Sequence, residues 1–163
     1  MIIRTYQESD RTQTVSLIAD FRVALGELRG LKRVPNLEHA REELDEYLVK
    51  NFPIFIAIDS KGILLGYLVC RVETGVVWAE SLYVRPENRR KGIASALYAE
   101  VEQLAIEQKS DTVYNWVHPN NTRIIHFLRK RGYTVLNLIE LRKKRLNEKI
   151  TKKIKIGTFE YDY

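Results

Sequence analysis

The stretch Arg89-Arg90-Lys91-Gly92-Ile93-Ala94 follows an apolar run, Leu82-Tyr83-Val84, and leads into a helical pattern that begins near Gly92. This order, a strand, a basic turn with a glycine and then a helix, is typical of a phosphate-binding loop. The first turn of a helix has N–H groups without intrahelical partners, and its dipole favours negative charge. A glycine there lets the backbone approach a ligand closely. The stretch therefore predicts a site for a pyrophosphate-bearing cofactor over residues 89–95.

The rest of the sequence shows a periodicity that predicts one continuous series of strands and helices. Three strands in the middle are joined by short turns, which we interpret as an antiparallel meander. The predicted elements are Ile2–Tyr6, a helix capped by Ser9 or Asp10, Leu37–Lys50 capped by Asn36, Ile54–Ile58, Ile63–Glu73, Val76–Val84, Gly92–Gln108, Asp111–Val117, Asn121–Arg131 and Tyr133–Lys144. Their order predicts an α+β fold with a mixed, mostly antiparallel central sheet and helices on both faces.

The bulk composition is that of a globular protein with a core of its own. The chain has 163 residues, of which 45% are hydrophobic and 29% charged, as is usual for soluble domains. Its apolar runs are too short to span a bilayer, and Met1-Ile2-Ile3-Arg4 does not resemble a signal peptide, so we expect a cytoplasmic protein without membrane association. The single cysteine, Cys70, lies in an apolar run, which predicts a buried structural thiol.

The net charge of +6 suits an anionic ligand, and much of the excess lies near the end of the chain. We interpret residues 146–163 as a basic C-terminal extension in which Ile150 to Ile156 forms an extra strand of the same domain. Such a strand could also pair two chains into a homodimer, although its lysines would discourage this. Nucleic-acid binding by the basic residues is not favoured, because Tyr114, Trp116 and Tyr133 lie in core-type runs and form no stacking platform with them.

Two motifs in this context resemble the GNAT superfamily of acyl-CoA-dependent N-acyltransferases. The first is the R/Q-x-x-G-x-G/A motif after a strand, here Arg89 to Ala94 behind Glu80 to Glu87. The second is an Asn-led helix that ends in Gly-aromatic, here Asn121 to Gly132-Tyr133. The resemblance covers about Ile2 to Arg145, so we predict a GNAT-like acetyltransferase domain over residues 1–145.

The resemblance implies that acetyl-CoA is the co-substrate and that no metal takes part. The cofactor pyrophosphate would bind the backbone N–H groups of residues 90–95, with Arg89 adding charge, and the pantetheine arm would pair with the free edge of the strand near Leu82 to Val84, as a peptide adds to a sheet. The N–H of Val84 would stabilise the oxyanion of the tetrahedral intermediate. The implied cofactor-binding residues are Leu82, Val84, Arg89, Arg90, Lys91, Gly92, Ile93, Ala94, Ser95 and Asn121.

The acceptor amine must lose a proton before it attacks, and Glu80 is the candidate base. Glu80 precedes Leu82 by two residues and so shares its face of a regular strand, and in many relatives an acidic residue at this place is the base. Glu73 and His118 are the alternatives. Many relatives protonate the leaving thiolate with a tyrosine four residues before the glycine of the second motif, but this chain has Leu128 there. Water, Tyr114 or Tyr133 could substitute for it.

The identity of the acceptor is the part of the function that the sequence determines least. In this family it binds between the first two helices and the late strands, and the joining segment here is more basic than acidic, which argues against a polyamine. A small-molecule primary amine is favoured slightly over a protein or peptide N-terminus, which the Arg89-Arg90-x-Gly-x-Ala form also suits. A non-catalytic CoA-binding module is a further alternative, supported by Leu128.

Overall fold

The computed structural model describes residues 1–148, 150 and 152–162. These residues form two compact units, Met1–Phe127 and Leu128–Tyr163, which are described separately below. No helix in this described part of the chain is both long and apolar enough to cross a membrane.

A five-stranded sheet organises the first unit. Its strands are arranged in chain order; the first four are antiparallel to their neighbours, and the fifth runs parallel to the fourth. The strands are β1 Ile2–Thr5, β2 Ile54–Ile58, β3 Leu64–Glu73, β4 Val76–Val84 and β5 Val113–Asn115. The predicted meander is confirmed, and its strands are the most buried in the sheet.

Helices cover both faces of this sheet, as the sequence predicts, and the α+β fold class is confirmed. The helices are α1 Arg11–Glu27, α2 Leu37–Val49, α3 Ile93–Glu107 and α4 Thr122–Lys130. α1 and α2 pack on the face that carries Tyr67, with Leu17, Ile18 and Leu44 fully buried there. α3 lies on the opposite face, where the Tyr98 hydroxyl donates to Asn115 Oδ1 at 2.8 Å.

Caps fix the ends of these helices close to their predicted limits. The Asn36 side chain accepts the His39 N–H at 3.0 Å, which is the predicted cap of α2. Asp10 directly precedes α1, but its carboxylate accepts the Gln7 N–H and pairs with Arg4 at 2.7 Å instead of capping the helix.

The thiol of Cys70 is buried, as predicted, and this burial raises its pKa.

The second unit contains the end of α4 and a short hairpin. Gly132 takes a φ of +91° after α4, and Tyr133 N donates back to Leu128 O at 3.1 Å, a usual glycine-terminated helix end. The hairpin consists of β6 Lys153–Ile156 and β7 Phe159–Asp162. The predicted strand at residues 150–156 is therefore present in part, but it pairs with β7 rather than with the five-stranded sheet. Lys149, Thr151 and Tyr163, on which the predicted extension also falls, lie outside the described residues.

The predicted strand Tyr133–Lys144 is wrong, because residues 133–144 have irregular backbone. A strand requires a partner for its N–H and C=O groups, and the hairpin strands of this unit are paired with each other. The apolar residues of this stretch are exposed, Val135 to 88% and Leu138 to 78%. The sequence pattern identified apolar residues here, but it does not reveal whether a neighbouring strand is available to pair with them.

Candidate active site

A β-bulge in β4 changes the direction of the candidate base. Val69 of β3 pairs with Ser81, but the next residue, Cys70, pairs with Ala79, so that Glu80 is the extra residue in β4. Tyr67, Val69 and Arg71 share the sheet face that α1 covers, since side chains alternate along β3. Glu80 Oε2 lies 3.5 Å from Arg71 Nε, which places Glu80 on that face too.

The expectation that Glu80 shares the face of Leu82 is therefore wrong. Leu82 pairs with Leu68 on the opposite face, and the inserted residue breaks the two-residue alternation between positions 80 and 82. Bulges of this kind redirect side chains and often lie beside functional sites. The bulge therefore places the side chains of Glu80 and Leu82 on opposite faces of the sheet.

The edge of β4 beyond the bulge is open. β5 pairs only with Val77, Trp78 and Ala79, so the β4 backbone from Glu80 to Val84 has no strand partner on that side. Arg85 N donates to Leu65 O at 2.9 Å across the β3 side. Because backbone groups alternate along a strand, those of Leu82 and Val84 point to the open side. The two backbone positions expected to bind the pantetheine arm therefore face the gap between β4 and β5.

Arg89 closes the end of this open edge. Its Nε donates to the Val84 carbonyl at 2.9 Å, and its guanidinium lies 5.4 Å from the centre of the Tyr83 ring. Burial and the nearby Arg123 lower the pKa of Arg89. The side chain thus lines the gap next to Val84, and its contacts are with the strand.

The basic turn that leads into α3 contains two residues in the left-handed backbone conformation. Arg90 has a φ of +65° and Gly92 a φ of +81°, and alternation of this kind directs successive N–H groups towards one point, as in anion-binding nests. The first backbone bond of α3 runs from Ala96 N to Gly92 O, and no described side chain caps the helix. The N–H groups of Ile93, Ala94 and Ser95 therefore have no cap and are oriented to bind an anion.

Glu80 lies in an aromatic and cationic cluster that the sequence did not predict. The Arg71 guanidinium is stacked between Trp78, at 4.3 Å, and Trp116, at 4.4 Å. Arg71 Nε and Glu80 Oε2 are both buried, and neither makes a hydrogen bond within the described chain. A buried carboxylate oxygen without a hydrogen-bond donor is costly, so a ligand that brings an N–H donor to this atom would remove that cost.

The two alternative bases lie in less favourable surroundings. The Glu73 side chain is 56% exposed and 3.8 Å from Arg71. His118 lies in the loop after β5, where its Nδ1 accepts the Asn120 N–H at 3.2 Å. Burial and the nearby Arg29 lower the pKa of His118. Glu80 is half-buried, and among the three its Oε2 is the atom that is buried and lacks a hydrogen bond.

The loop after β5 connects the gap to α1 and α4. Asn120 Nδ2 donates to Leu28 O at 2.8 Å, which ties this loop to the end of α1. Asn121 Oδ1 accepts the Ile124 N–H at 3.2 Å and caps α4, as expected. Leu128, which takes the place of the usual tyrosine, is buried within α4 and has no proton to donate.

The comparison with protein families decides the identity of this arrangement. The model described as Acetyltransferase (GNAT) family matches residues 21–133, which contain both motifs and the open strand edge. The chain belongs to the GNAT acetyltransferase family. The predicted enzyme class, an acyl-CoA-dependent N-acetyltransferase, is confirmed by this match. No curated protein sequence matches the chain.

Solved GNAT structures share the fold at low sequence identity. Aminoglycoside 6'-N-acetyltransferase from Acinetobacter haemolyticus is 16% identical, with a TM-score of 0.69 over 90% of this chain and 100% of that one. AAC(6')-Iy, solved with a CoA-based bisubstrate analogue, is 19% identical, with a TM-score of 0.68 over 89% and 98%. Ribosomal-protein-alanine N-acetyltransferase from Brucella melitensis is 23% identical, with a TM-score of 0.63 over 81% and 83%.

This GNAT protein therefore brings most of its predicted site residues to one gap. Leu82 and Val84 line the open edge, Arg89 contacts Val84, and residues 90–95 form the turn and first helical residues beside it. The residues missed by the sequence are Arg71, Trp78 and Trp116, which surround Glu80. The two-residue turn between β3 and β4 could have revealed the Arg71–Trp78 pair, since it fixes the register next to it.

Metal binding has no candidate position in the part of the chain that the structure describes. A search of those residues finds no group of three or more His, Cys, Asp or Glu side chains that could hold an ion.

Proposed function

We propose that this protein transfers the acetyl group of acetyl-CoA to a primary amine by direct attack, with a small-molecule amine as the acceptor. The observation that carries this proposal is the unpaired β4 edge from Glu80 to Val84, which lies beside an uncapped helix N-terminus. A pantetheine amide chain requires a strand edge, and a pyrophosphate requires free N–H donors. The fold supplies both, and family membership makes acetyl-CoA the donor to test first.

The cofactor half of the site follows from the backbone. The N–H groups of residues 90–95 would bind the pyrophosphate at the start of α3. The outward N–H and C=O groups of Leu82 would pair with the pantetheine arm, the Val84 N–H would face the thioester carbonyl, and Asn121 would contact the arm from the cap of α4. Arg89 would hold the Val84 carbonyl in position through its Nε, and its remaining guanidinium N–H groups would add positive charge for the pyrophosphate.

The chemical step requires a base, an oxyanion donor and an acceptable leaving group. An alkylamine is nearly all protonated at neutral pH, so we assign Glu80 to accept its proton, directly or through water. The amine nitrogen then attacks the thioester carbonyl, whose developing charge the Val84 N–H stabilises, a contribution of about 10²–10³ in rate. The C–S bond breaks to give the CoA thiolate and the amide, whose nitrogen releases its one remaining extra proton to water.

The α4 position expected to supply a proton to the leaving thiolate is an apolar residue here. Leu128 stands where many relatives have a tyrosine, so the thiolate leaves unprotonated or takes its proton from water. This is tolerable because a thiol has a pKa near 8.5, much lower than that of an alcohol. The missing tyrosine therefore slows the departure of the thiolate, but it does not affect the binding of acetyl-CoA.

The solved relatives support two classes of acceptor without deciding between them. Two of them are named for aminoglycosides and one for an alanine of a ribosomal protein. The alternative to a small-molecule amine is therefore a protein or peptide α-amine, and a non-catalytic CoA-binding module would turn over neither. An amine and peptide panel with acetyl-CoA, read by release of free thiol, separates these three outcomes.

Gly92→Asp tests the cofactor site directly. A carboxylate at this position would face the pyrophosphate, and like charges at about 4 Å cost roughly 1–4 kcal/mol between water and an effective protein dielectric. We therefore expect about a 5- to 10³-fold rise in the Kd of acetyl-CoA by calorimetry. Asp tolerates a positive φ better than most residues, and a Cβ at Gly92 would meet no atom within 4 Å, so the fold should be retained.

Gly62→Asp is the matched control. Gly62 also has a positive φ, +79°, and open space around it, but it lies in the turn between β2 and β3. It introduces the same charge and the same backbone strain away from α3, so its acetyl-CoA affinity should equal that of the wild type. Unchanged affinity in Gly92→Asp would refute the assignment of the cofactor site.

A further inference from the structure

A small basic cavity lies at the C-terminal end of α1. It has a volume of about 70 Å³ and is lined by Arg22, Leu25, Gly26, Arg29 and Arg33. All five residues come from the last turns of α1 or the loop that follows it. The cavity therefore presents three guanidinium groups and no carboxylate among its lining side chains.

Two of the three arginines have no counter-charge in the described chain. Arg22 is paired with Glu43 through two hydrogen bonds of 2.6 Å. Arg29 and Arg33 form no ion pair with any described carboxylate. An arginine pair of this kind matches a carboxylate or phosphate, which guanidinium groups bind with two parallel hydrogen bonds.

The backbone holds this cavity in a fixed shape. The Gly26 carbonyl accepts N–H groups from Arg29, at 2.9 Å, and Leu31, at 3.0 Å, which turns the chain back at the end of α1. A Cβ at Gly26 would lie 2.8 Å from Arg33 Cδ. The absence of a side chain at Gly26 thus provides the space in which Arg33 packs against the helix.

The helix that forms the cavity also contacts the strand that carries the open edge and the loop beside the gap. Phe21, on α1, packs against the Tyr83 ring with centroids 6.1 Å apart, and Tyr83 precedes Val84. Gly26 is five residues further along the helix, about 7.5 Å at 1.5 Å per residue. Asn120 of the loop beside the gap donates to Leu28 O at 2.8 Å. A ligand of modest length would therefore reach from the gap to the arginines.

We propose that the acceptor is a primary amine that also carries an anionic group, a carboxylate or a phosphate, which binds to Arg29 and Arg33. This assignment rests on the proposed function and narrows its substrate class. The rise from Phe21 to Gly26 alone corresponds to about two extended residues at 3.3–3.6 Å each, so the amine and the anion lie at least several bonds apart. A polycationic acceptor would face two unpaired guanidinium groups and is disfavoured.

The experiment compares matched acceptors that differ only in this charge. Wild-type protein is assayed for thiol release with a series of tripeptides bearing a free C-terminal carboxylate and with the corresponding C-terminal amides. An aminoalkyl phosphate and its uncharged alcohol form the second pair and distinguish phosphate from carboxylate. We expect at least one anionic member to exceed its neutral partner about ten- to hundred-fold in kcat/KM, as for a lost hydrogen bond to a charged group.

Arg29→Gln and Arg33→Gln test the assignment of the residues. Each should raise the KM of the anionic acceptor, leave that of the neutral partner unchanged and leave the acetyl-CoA Kd unchanged. Arg41→Gln is the control, since Arg41 is an exposed arginine of α2 outside the cavity. An Arg29 or Arg33 variant that weakens acetyl-CoA instead would place the arginines in the cofactor site and overturn the proposal. A fall in Tm without a kinetic change would do the same, because it would show that they only stabilise the end of α1.

The outcomes separate this inference from the function on which it rests. Failure of wild-type protein to bind acetyl-CoA would overturn the proposed function and the acceptor assignment together. Binding of acetyl-CoA with equal turnover of the charged and uncharged acceptors would overturn the acceptor assignment alone.

Discussion

Gly66 is the point at which a single methyl group would disturb the open edge of β4. Gly66 pairs with Val84 across the β3–β4 ladder. A Cβ added there would lie 2.6 Å from the Tyr83 carbonyl oxygen and 3.2 Å from Val84 Cα. Both are backbone atoms, which cannot swing aside as the end of a flexible side chain can. Gly66→Ala must therefore move one strand relative to the other.

The size of this movement follows from the contact. Carbon-to-oxygen contacts between adjacent strands are usually about 3.3–3.6 Å, so β3 and β4 must separate by roughly 0.7 Å near Val84. Overpacking of this kind costs about 1–3 kcal/mol of unfolding free energy, or about 2–12 °C in Tm for a chain of this size. Misplacement of a catalytic group by about 1 Å costs on the order of 10²-fold in rate, so we expect kcat to fall about 10- to 10²-fold.

The assay is thiol release at saturating acetyl-CoA and acceptor, together with thermal unfolding of each variant. Ile56→Val is the control, because it removes one methylene from a fully buried position of β2 and costs about 0.5–1.5 kcal/mol without touching β4. It should lower Tm and keep kcat. A Gly66→Ala protein with wild-type kcat would refute the claim that the Val84 N–H needs its present position.

Two further perturbations test the base and a buried ion pair. Glu80→Gln should lower turnover, most strongly at the acidic end of the active pH range, and leave acetyl-CoA affinity intact. Glu73→Gln, which removes the other carboxylate near Arg71, should change neither; equal pH–rate profiles for both variants would remove Glu80 from the mechanism. The hydrogen bond from Arg4 is the largest cause that lowers the pKa of Asp10, so this carboxylate stabilises the fold fully above about pH 4, its usual unfolded value, and less as the pH falls towards its lowered pKa. Asp10→Asn should cost about 2–4 kcal/mol near pH 7 by denaturant unfolding and flatten the acid limb of the stability curve; an unchanged acid limb would contradict this.

The parts of the fold predictable from sequence were those governed by local chemistry. The Asn36 cap, the glycine-terminated end of α4 and the turn between β3 and β4 each depend on a few neighbouring residues, and all three occur where the sequence indicates. The strand expected at residues 133–144 failed because strand formation depends on a partner distant in the sequence. No local pattern reveals whether that partner is available.

The candidate site likewise has a part that local sequence predicts and a part that depends on distant strand pairing. The two-residue turn sets a pairing register between β3 and β4. That register pairs Arg71 with Trp78 correctly, but if it continued along the strands it would pair Val69 with Glu80 instead of Ser81. The bulge inserts one residue and shifts this register, and nothing in the alternation of β4 announces it. Gly66 was missed for a related reason, because its importance comes from the backbone across the sheet rather than from its neighbours in the chain.

The stacking around Arg71 provides an optical signal at the site. The protein has two tryptophans, Trp78 and Trp116, and both lie against this one guanidinium beside Glu80. Trp116 is 68% exposed, whereas Trp78 is partly covered, so the two indoles differ in their contact with solvent. Tryptophan emission, excited selectively over that of the tyrosines, consequently originates at this guanidinium beside the candidate base. Entry of an acceptor can be followed without a label, and a single Trp-to-Phe replacement assigns the signal to one ring.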